Sequence, residues 1–296
     1  MSDATVRVVE GSPHPLPMML KAALPVVPGL NLLPGIGKRG GALPDLALTR
    51  HDVEVDPAHV AAYAAVCGFP RKDTLPVTYP HLLAFTLQLA IMTDGSFPFP
   101  AVGTVHLENS LTQHRPVRAD EKLQVTVRVG TLRPHAKGQV FDLLTSVHSL
   151  GEPVWEETST FLRRGAPTDQ GTAVPGGLAL PEAPHGTVEW RLPGDLGRRY
   201  AAVSGDHNPI HLYGLTAKAF GFPRQIAHGM WSLGRCLGAV ENRLPDAVRV
   251  DAAFKKPVLL PGTVSFGMAA TADGLDLALT SPKDGSPHLV VRAVPA

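Results

Sequence analysis

The chain has 296 residues, enough for two domains of ordinary size and too many for a minimal binding motif. Its 27 lysines and arginines balance 26 aspartates and glutamates, and only 18% of the residues are charged, so the sequence lacks the basic field that nucleic-acid binding requires. Two cysteines cannot build a disulfide framework, which favours a reducing, cytoplasmic location.

Residues 1–45 are expected to form an N-terminal extension, without the basic-then-apolar pattern of a secretory leader. Their most apolar stretch, Met18 to Ile36, is interrupted by three prolines, so it predicts neither a signal peptide nor a membrane span. Whether this stretch covers a binding cavity or packs between subunits is open.

An internal repeat follows the extension. The segment YAAVCG, Tyr63 to Gly68, recurs as YAAVSG, Tyr200 to Gly205. After each copy comes an apolar helical segment, and then a basic residue followed by Pro and Val, at Arg115 and at Lys256. The same order at similar spacing predicts two copies of one structural unit.

The domain boundary is predicted between these copies. Residues 165–187 are rich in Pro, Gly and Ala and have no apolar period, which is typical of a linker. The first domain is therefore expected at 46–164 and the second at 188–296.

Each predicted domain combines one apolar helix with strands. Leu82 to Met92 is apolar at nearly every position, which predicts a short helix surrounded by protein. Met230 to Leu244 carries an apolar stripe at helical spacing, and Gly234 and Gly238 within it predict close packing against a sheet or another helix.

The strand patterns alternate between apolar and polar residues at 122–129 and, in the second domain, from Thr263, Leu275 and His288. This alternation predicts antiparallel sheet with one solvent-exposed face. A sheet around one buried helix, occurring twice, places the chain in the α+β class.

The segment SGDHNPIH, which ends at His211, carries the chemistry. Gly205-Asp206 and Asn208-Pro209 both favour turns, so Asp206 and His211 are expected on a bent loop that aims both side chains at one point. A carboxylate and an imidazole so placed can hold a water and exchange a proton with a substrate carbon.

The segment IAHGM, Ile226 to Met230, stands where the second helix should begin. Backbone N–H groups at a helix N-terminus stabilise negative charge on a carbonyl oxygen, and Gly229 leaves room for that carbonyl to approach. Together the two segments predict addition or elimination of water next to a carbonyl group.

GDHNPIH, followed after seventeen residues by Gly229, resembles the hydratase 2 motif of the MaoC-like (R)-specific enoyl-CoA hydratases and 3-hydroxyacyl-thioester dehydratases. The first half resembles the longer, double-hotdog bacterial members in DTLPVTYPHLLAF from Asp73, FPFPAVGTVHLENSLTQHRPV from Phe97 and TSTFLRR from Thr158. The resemblance covers nearly the whole chain.

The resemblance implies a tandem hotdog fold, in which two antiparallel sheets each wrap around a central helix. It implies that Asp206 and His211 are the catalytic acid/base pair, that Asn208 orients the water or the thioester, and that the Gly229 amide is the oxyanion donor. The first copy continues as FPRK at 69–72 and lacks both catalytic side chains. We expect that copy to form the acyl tunnel, which leaves one active site per chain.

Four more residues are expected to contact the substrate: Ser204, His228, Met230 and Lys256. For His228 the alternative is a structural role beside Gly229. For Lys256, expected with its neighbour Lys255 near the phosphates of coenzyme A or of a carrier-protein arm, the alternative is a solvated charged face. Candidates for the rim of the entrance are His81, His106, His114 and Arg115.

No cofactor is expected beyond the thiol carrier, which is coenzyme A or acyl carrier protein. A zinc site built from Asp206, His207, His211 and His228 is disfavoured, because Pro209 spoils the helical spacing of the first two histidines and no cysteine lies nearby.

The function expected is the reversible dehydration of an (R)-3-hydroxyacyl thioester to the trans-2-enoyl thioester in fatty-acid metabolism. The alternatives are a hotdog acyl-thioesterase and a non-catalytic acyl-thioester-binding subunit of a heteromeric hydratase, and the intact motif argues against both. The acyl chain length, the physiological direction and the pairing of chains into a homodimer are open.

Overall fold

The computed structural model describes residues 5–11, 17–19, 21, 40–166 and 177–296. The predicted N-terminal extension and linker therefore lie partly outside the described residues. The remaining boundaries, 46–164 and 188–296, stay a prediction.

The first half contributes strands and two helices, which in chain order are β1 (Thr5–Val8), β2 (Leu46–Val53), α1 (Pro57–Cys67), α2 (Pro80–Thr93), β3 (Thr104–Gln113), β4 (Leu123–His135), β5 (Gly138–Ser149) and β6 (Glu152–Arg164). The second half contributes β7 (Val188–Leu192), α3 (Leu196–Ser204), α4 (Pro209–Leu212), α5 (Gly214–Ala219), α6 (Gly229–Val240), β8 (Val248–Phe254), β9 (Gly262–Ala270), β10 (Leu275–Thr280) and β11 (Pro287–Pro295).

The described strands form one continuous sheet in the order β1-β2-β4-β5-β6-β3-β8-β11-β10-β9-β7. Apart from β1, which pairs parallel with β2, the neighbours are antiparallel. The two halves meet where β3 pairs with β8, and Ser110 on β3 donates a hydrogen bond to Asp251 on β8. The continuous sheet therefore consists of a first-half part and a second-half part joined at β3 and β8. Each part has its own helix, as the tandem hotdog prediction requires.

The repeat predicted from the two YAAV segments is present in the structure. Helices α1 and α3 both end at a glycine in the left-handed region, Gly68 at φ 77° and Gly205 at φ 75°. Only glycine adopts this conformation without strain. The tyrosines that begin the two segments, Tyr63 and Tyr200, are buried with their ring centroids 6.2 Å apart, so the two copies pack against each other.

The first central helix is confirmed. Helix α2 contains the predicted stretch from Leu82 to Met92, and Ala84, Leu87 and Ile91 on it are fully buried. A helix this apolar is stable only when protein covers it on most sides.

The second central helix is shorter than predicted. Helix α6 ends at Val240, a 3-10 turn follows at Glu241–Arg243, and Leu244 is extended. The tighter turn ends the helical stripe because the chain must reverse to enter β8. The expected close packing at Gly238 is confirmed, since a Cβ atom there would lie 3.1 Å from the carbonyl oxygen of Cys67 on α1.

The prediction that one face of β10 is exposed to solvent was wrong, because all six residues of this strand are buried. The segment at 184–186 crosses the outer surface of β9 and β10. A Cβ atom at Gly267 would collide with the carbonyl oxygens of Pro184 and His185, and one at Gly186 would lie 3.0 Å from Thr280 Oγ1. This part of the predicted linker is packed against the sheet.

Within the predicted extension, Met19 is buried against Leu89 and Val102, and most of the stretch from Met18 to Ile36 lies outside the described residues. In the part of the chain that the structure describes, no helix has the length and apolar character needed to cross a bilayer. Cys67 and Cys236 are buried as free thiols.

Candidate active site

A cavity of about 640 Å³ is lined by both halves of the chain. From the first half come residues of α2, β3 and β6, and from the second half come the turn after α3, the start of α6 and the end of β8. The structure brings to this cavity all eight residues predicted to react with or contact substrate: Ser204, Asp206, Asn208, His211, His228, Gly229, Met230 and Lys256.

Side-chain hydrogen bonds to the backbone build the turn that holds Asp206. Its N–H donates to Ser204 Oγ at 3.2 Å, and its Oδ1 accepts from the Asn208 N–H at 3.0 Å. Asn208 Oδ1 in turn accepts from the Ile210 N–H at 3.4 Å and caps α4. Pro209 therefore begins a short helix, and His211 lies on that helix instead of on a loop.

His211 is presented with one ring nitrogen free. Its Nδ1–H donates to the carbonyl oxygen of Ile226 at 2.8 Å, which leaves Nε2 as the acceptor in the neutral ring. Burial lowers the pKa of His211 below its ordinary value, although Asp206 and the Ile226 carbonyl act in the opposite direction. At neutral pH the ring is therefore a base.

The carboxylate of Asp206 stays ionised. Burial raises the pKa of Asp206, but the neighbouring His228 and His211 and the hydrogen bond from the Asn208 N–H lower it by more, and the net direction is below its ordinary value. The site thus holds two proton acceptors, a carboxylate and a neutral imidazole.

His228 connects the two segments that were predicted to be catalytic. Its Nε2–H donates to the backbone carbonyl of Asp206 at 2.9 Å, and its ring stacks on His211 with centroids 3.7 Å apart. Burial lowers the pKa of His228 to about 3, so the ring is neutral. Because His228 immediately precedes Gly229, it fixes the Asp206 turn to the start of α6.

Gly229 is the first residue of α6, where a backbone N–H has no acceptor within the helix. A Cβ atom at this position would lie 3.0 Å from Cε1 of Phe254, which lines the cavity. Glycine is therefore needed here partly to admit the Phe254 ring. Sequence reasoning missed Phe254, because no spacing or motif singles it out.

One ligand atom from each of Asp206, His211 and His228 lies within 4.8 Å of the others. In this set His211 Nδ1 and His228 Nε2 are hydrogen-bonded to backbone carbonyls. The expected absence of a metal and of any cofactor beyond the thiol carrier stays a prediction.

Comparison with known proteins identifies the family. A model described as the MaoC like domain matches residues 183–275. Over 280 residues the chain is 40% identical to the 3-hydroxyacyl-thioester dehydratase X of Mycobacterium tuberculosis, covering 94% of this chain and 96% of that protein. The chain belongs to the MaoC-like dehydratase family.

Solved structures agree with this assignment. The crystal structure of HtdX of Mycobacterium tuberculosis is 39% identical, superposes with a TM-score of 0.75, and is matched over 84% of this chain and all of that one. Another protein of Mycobacterium tuberculosis, described as having a double hotdog fold, is 16% identical with a TM-score of 0.52, over 82% of this chain and 93% of that one. The latter likeness concerns the fold alone, and the tandem hotdog prediction is confirmed.

The MaoC-like cavity receives two histidines from the first half. His81 and His106, predicted at the rim, line the cavity. The other two rim candidates do not, since Arg115 pairs with Glu121 at 2.8 Å and His114 with Glu156 at 2.9 Å on the surface. In the linear sequence nothing distinguishes these pairs of residues.

The mouth of the cavity is basic. Lys256 is exposed there together with Lys255, and two further exposed cations that the sequence did not single out join them: Lys137 and Arg164. Two of the four come from each half, so the positive surface spans the junction of the domains.

Proposed function

We propose that this MaoC-like chain catalyses the reversible conversion of an (R)-3-hydroxyacyl thioester to the trans-2-enoyl thioester and water. The observation that carries the proposal is the meeting of Asp206, His211 and the start of α6 in one cavity. The proposal is also supported by 40% identity to a protein named 3-hydroxyacyl-thioester dehydratase X.

The Asp206 carboxylate and His211 Nε2 can together bind one water molecule. The water has two hydrogens, and each of these acceptors can accept a hydrogen bond from one of them. Acceptors that share a bridging water stand roughly 4 to 5 Å apart, and a carboxylate oxygen of Asp206 lies within 4.8 Å of one of the two ring nitrogens of His211. Asn208, beside them on the cavity wall, orients the water or the thioester.

The proton balance closes without a cofactor. In hydration the water oxygen bonds to C3, its released proton passes to His211 Nε2, and that proton is delivered to C2. In dehydration His211 takes the C2 proton, the carbon–hydrogen electrons form the double bond, and the C3 hydroxyl leaves as water with the same proton. Asp206 holds the oxygen in both directions.

Charge that develops on the thioester oxygen needs a donor. The Gly229 N–H points out of the first turn of α6, where the helix dipole also favours negative charge. Ser204 and Met230 line the same wall.

The basic mouth suits a phosphate-bearing carrier, either coenzyme A or the phosphopantetheine arm of acyl carrier protein. The exposed side chains of Lys255 and Lys256 stand where the carrier would leave the cavity. Replacement of Lys256 by Ala is expected to raise KM several-fold with kcat unchanged, while Lys122→Ala, an exposed lysine away from the cavity, changes neither.

The deciding experiment follows hydration of a short and a long trans-2-enoyl-CoA through loss of the conjugated thioester absorbance. Asp206→Asn is expected to lower the rate by roughly two to four orders of magnitude. The matched control is Asp195→Asn, an exposed aspartate at the start of α3, which should keep wild-type turnover. Near wild-type turnover by Asp206→Asn would contradict the proposed role of Asp206 and the proposed reaction. Release of free thiol without loss of the double bond would identify a thioesterase instead.

A further inference from the structure

The first half places a buried histidine–carboxylate pair in the cavity wall that the proposed reaction does not use. His81 Nδ1 lies 2.9 Å from both carboxylate oxygens of Glu157, whose side chain is fully buried. Asn109 donates to the same carboxylate at 2.7 Å and Gln88 at 3.3 Å. Burial raises the pKa of Glu157, but His81 and Asn109 lower it by more, so the carboxylate is ionised at neutral pH.

Shape alone does not require such a pair. Apolar residues of the same volume commonly replace a buried ion pair without loss of stability. Phe85, Leu89 and Phe161 on the same wall are apolar, as expected of a surface that covers an alkyl chain. A charged group among them indicates that something polar is bound there.

His81 and Gln88 each keep one polar atom that can bind a ligand in the cavity. Because Glu157 occupies Nδ1 of His81, Nε2 is the nitrogen left over, and among the described residues none hydrogen-bonds it. The Gln88 amide nitrogen is directed at Glu157 and Thr145, which leaves its carbonyl oxygen as an acceptor. His81 and Gln88 both line the cavity, although each is more than nine-tenths buried.

The pair stands a short way from the reacting carbons. The ring centroid of His81 lies 6.4 Å from that of His106, and His106 lies 4.9 Å from Phe254. Phe254 in turn contacts Gly229. These distances place His81 outside the reacting centre, and its apolar neighbours in the cavity lining along α2, Phe85 and Leu89, assign it to the acyl side.

We propose that His81, oriented by Glu157 and flanked by Gln88, is a polar subsite for a hydroxyl group on the acyl chain. The inference rests on the proposed function and adds a substrate class to it. A hydroxyl both donates and accepts, so it can pair with Nε2 of His81 whether or not that nitrogen carries a proton, and where Nε2–H is the donor the hydroxyl hydrogen is left for the Gln88 carbonyl. A plain alkyl chain leaves both buried groups without a partner, which penalises its binding.

The test compares trans-2-enoyl-CoA substrates of one chain length, either plain or with a hydroxyl at successive carbons beyond the double bond. We expect wild-type kcat/KM for the best hydroxylated chain to exceed that for the plain chain by about tenfold or more. The double variant His81→Phe/Glu157→Gln removes the subsite without stranding a buried charge. It should lose the preference, so that kcat/KM for the hydroxylated chain falls to that for the plain chain.

The matched control is His59→Phe. His59 is a first-half imidazole hydrogen-bonded to the Tyr79 hydroxyl at 2.7 Å and lies outside the cavity lining, so its loss should leave the preference intact. Equal wild-type rates on plain and hydroxylated chains would overturn the subsite. A double variant that keeps the preference, or that loses both substrates in the same proportion, would do so as well.

A second measurement separates this inference from the reaction itself. Calorimetric binding of saturated acyl-CoA, plain and hydroxylated, to Asp206→Asn needs no turnover. A preference for the hydroxylated chain that His81→Phe/Glu157→Gln removes supports the subsite even if no enoyl thioester is hydrated, a result that would sink the proposed function alone. Equal affinities for the two chains would overturn the subsite even in an active hydratase.

Discussion

Pro80 and Gly229 occupy equivalent positions, each at the start of a central helix that follows a YAAV segment. Proline has no N–H to donate, so α2 lacks an amide donor at the position where α6 has the Gly229 N–H. Counted from the two tyrosines, the first copy also has Phe69 and Thr74 where the second has Asp206 and His211, the proposed acid/base pair. Acid, base and amide donor are thus missing together, which is why a single chemical centre per chain is expected.

The rate is expected to fall on the acid side. His211 must be neutral to accept a proton, and burial lowers its pKa, so activity should persist above that pKa and disappear as the pH falls through it. The midpoint in kcat/KM should lie below about pH 6.5, the ordinary value for histidine. Asp206 stays ionised in this window because its pKa is also lowered.

A kcat/KM profile for hydration across the acid range tests this, with His211→Gln as the control. The variant lacks the titrating ring, so its residual rate should be flat across the same range. A wild-type midpoint clearly above 6.5 would contradict the assignment of His211 as the base.

Gly229→Ala should impair the reaction through Phe254. The added Cβ would lie 3.0 Å from the Phe254 ring, which forces the ring or the start of α6 to shift and misplaces the amide donor. We expect kcat to fall roughly tenfold to a hundredfold, and the added substitution Phe254→Leu should restore part of it. Gly95→Ala is the control, because a Cβ atom there meets nothing within 4 Å. An unchanged kcat in Gly229→Ala would show that this contact does not position the donor.

At the scale of helices and strands, the sequence predicted the features that depend on interactions between neighbouring residues. The apolar run in α2, the turn at Asp206 and the glycine packing of α6 were predictable because each depends on residues close in sequence. The end of α6 at Val240 and the second buried face of β10 were not, since a chain reversal and a covering segment decide them. The His81–Glu157 pair joins residues 76 positions apart, and no periodicity connects them.

Helix α2 lines the cavity along its length, and we expect it to limit the length of the acyl chain that the cavity accepts. Its cavity-lining residues His81, Phe85, Gln88, Leu89 and Met92 follow one helical face, and the helix rises roughly 16 Å between the first and the last. Leu89→Trp should block the far part of this path. It is expected to lower kcat/KM for a long enoyl-CoA by about tenfold or more and to leave a short one within about twofold, because the short chain does not reach Leu89.

Leu89→Met, which conserves volume, is the matched control and should treat both chain lengths as the wild type does. Equal losses on the short and the long substrate in Leu89→Trp would place the acyl chain elsewhere.

At the scale of the whole molecule, the halves are joined by more than the strand pair β3–β8. The Trp231 indole N–H on α6 donates to the Val66 carbonyl on α1 at 3.1 Å, and Gly238 on α6 packs against the end of α1. One buried apolar cluster includes residues of both central helices. Homodimerisation stays a prediction, and light scattering of the purified chain would measure it.

This joined core predicts that the second half fails alone, although it carries all the catalytic candidates. Expression of residues 188–296 would expose the face of α6 that packs on α1 and leave β8 as an open sheet edge, which favours aggregation. It would also remove His81, Phe85 and Leu89 from the cavity wall. We expect turnover below about 1% of the full chain, restored when residues 1–187 are co-expressed. Circular dichroism, light scattering and the hydration assay on the same samples test this, with the full chain as the control.

A folded monomer of 188–296 with turnover close to that of the full chain would show that the first half is dispensable for the chemistry. An active homodimer of 188–296 would show instead that a second copy can supply the missing wall, and therefore that the first half contributes shape alone.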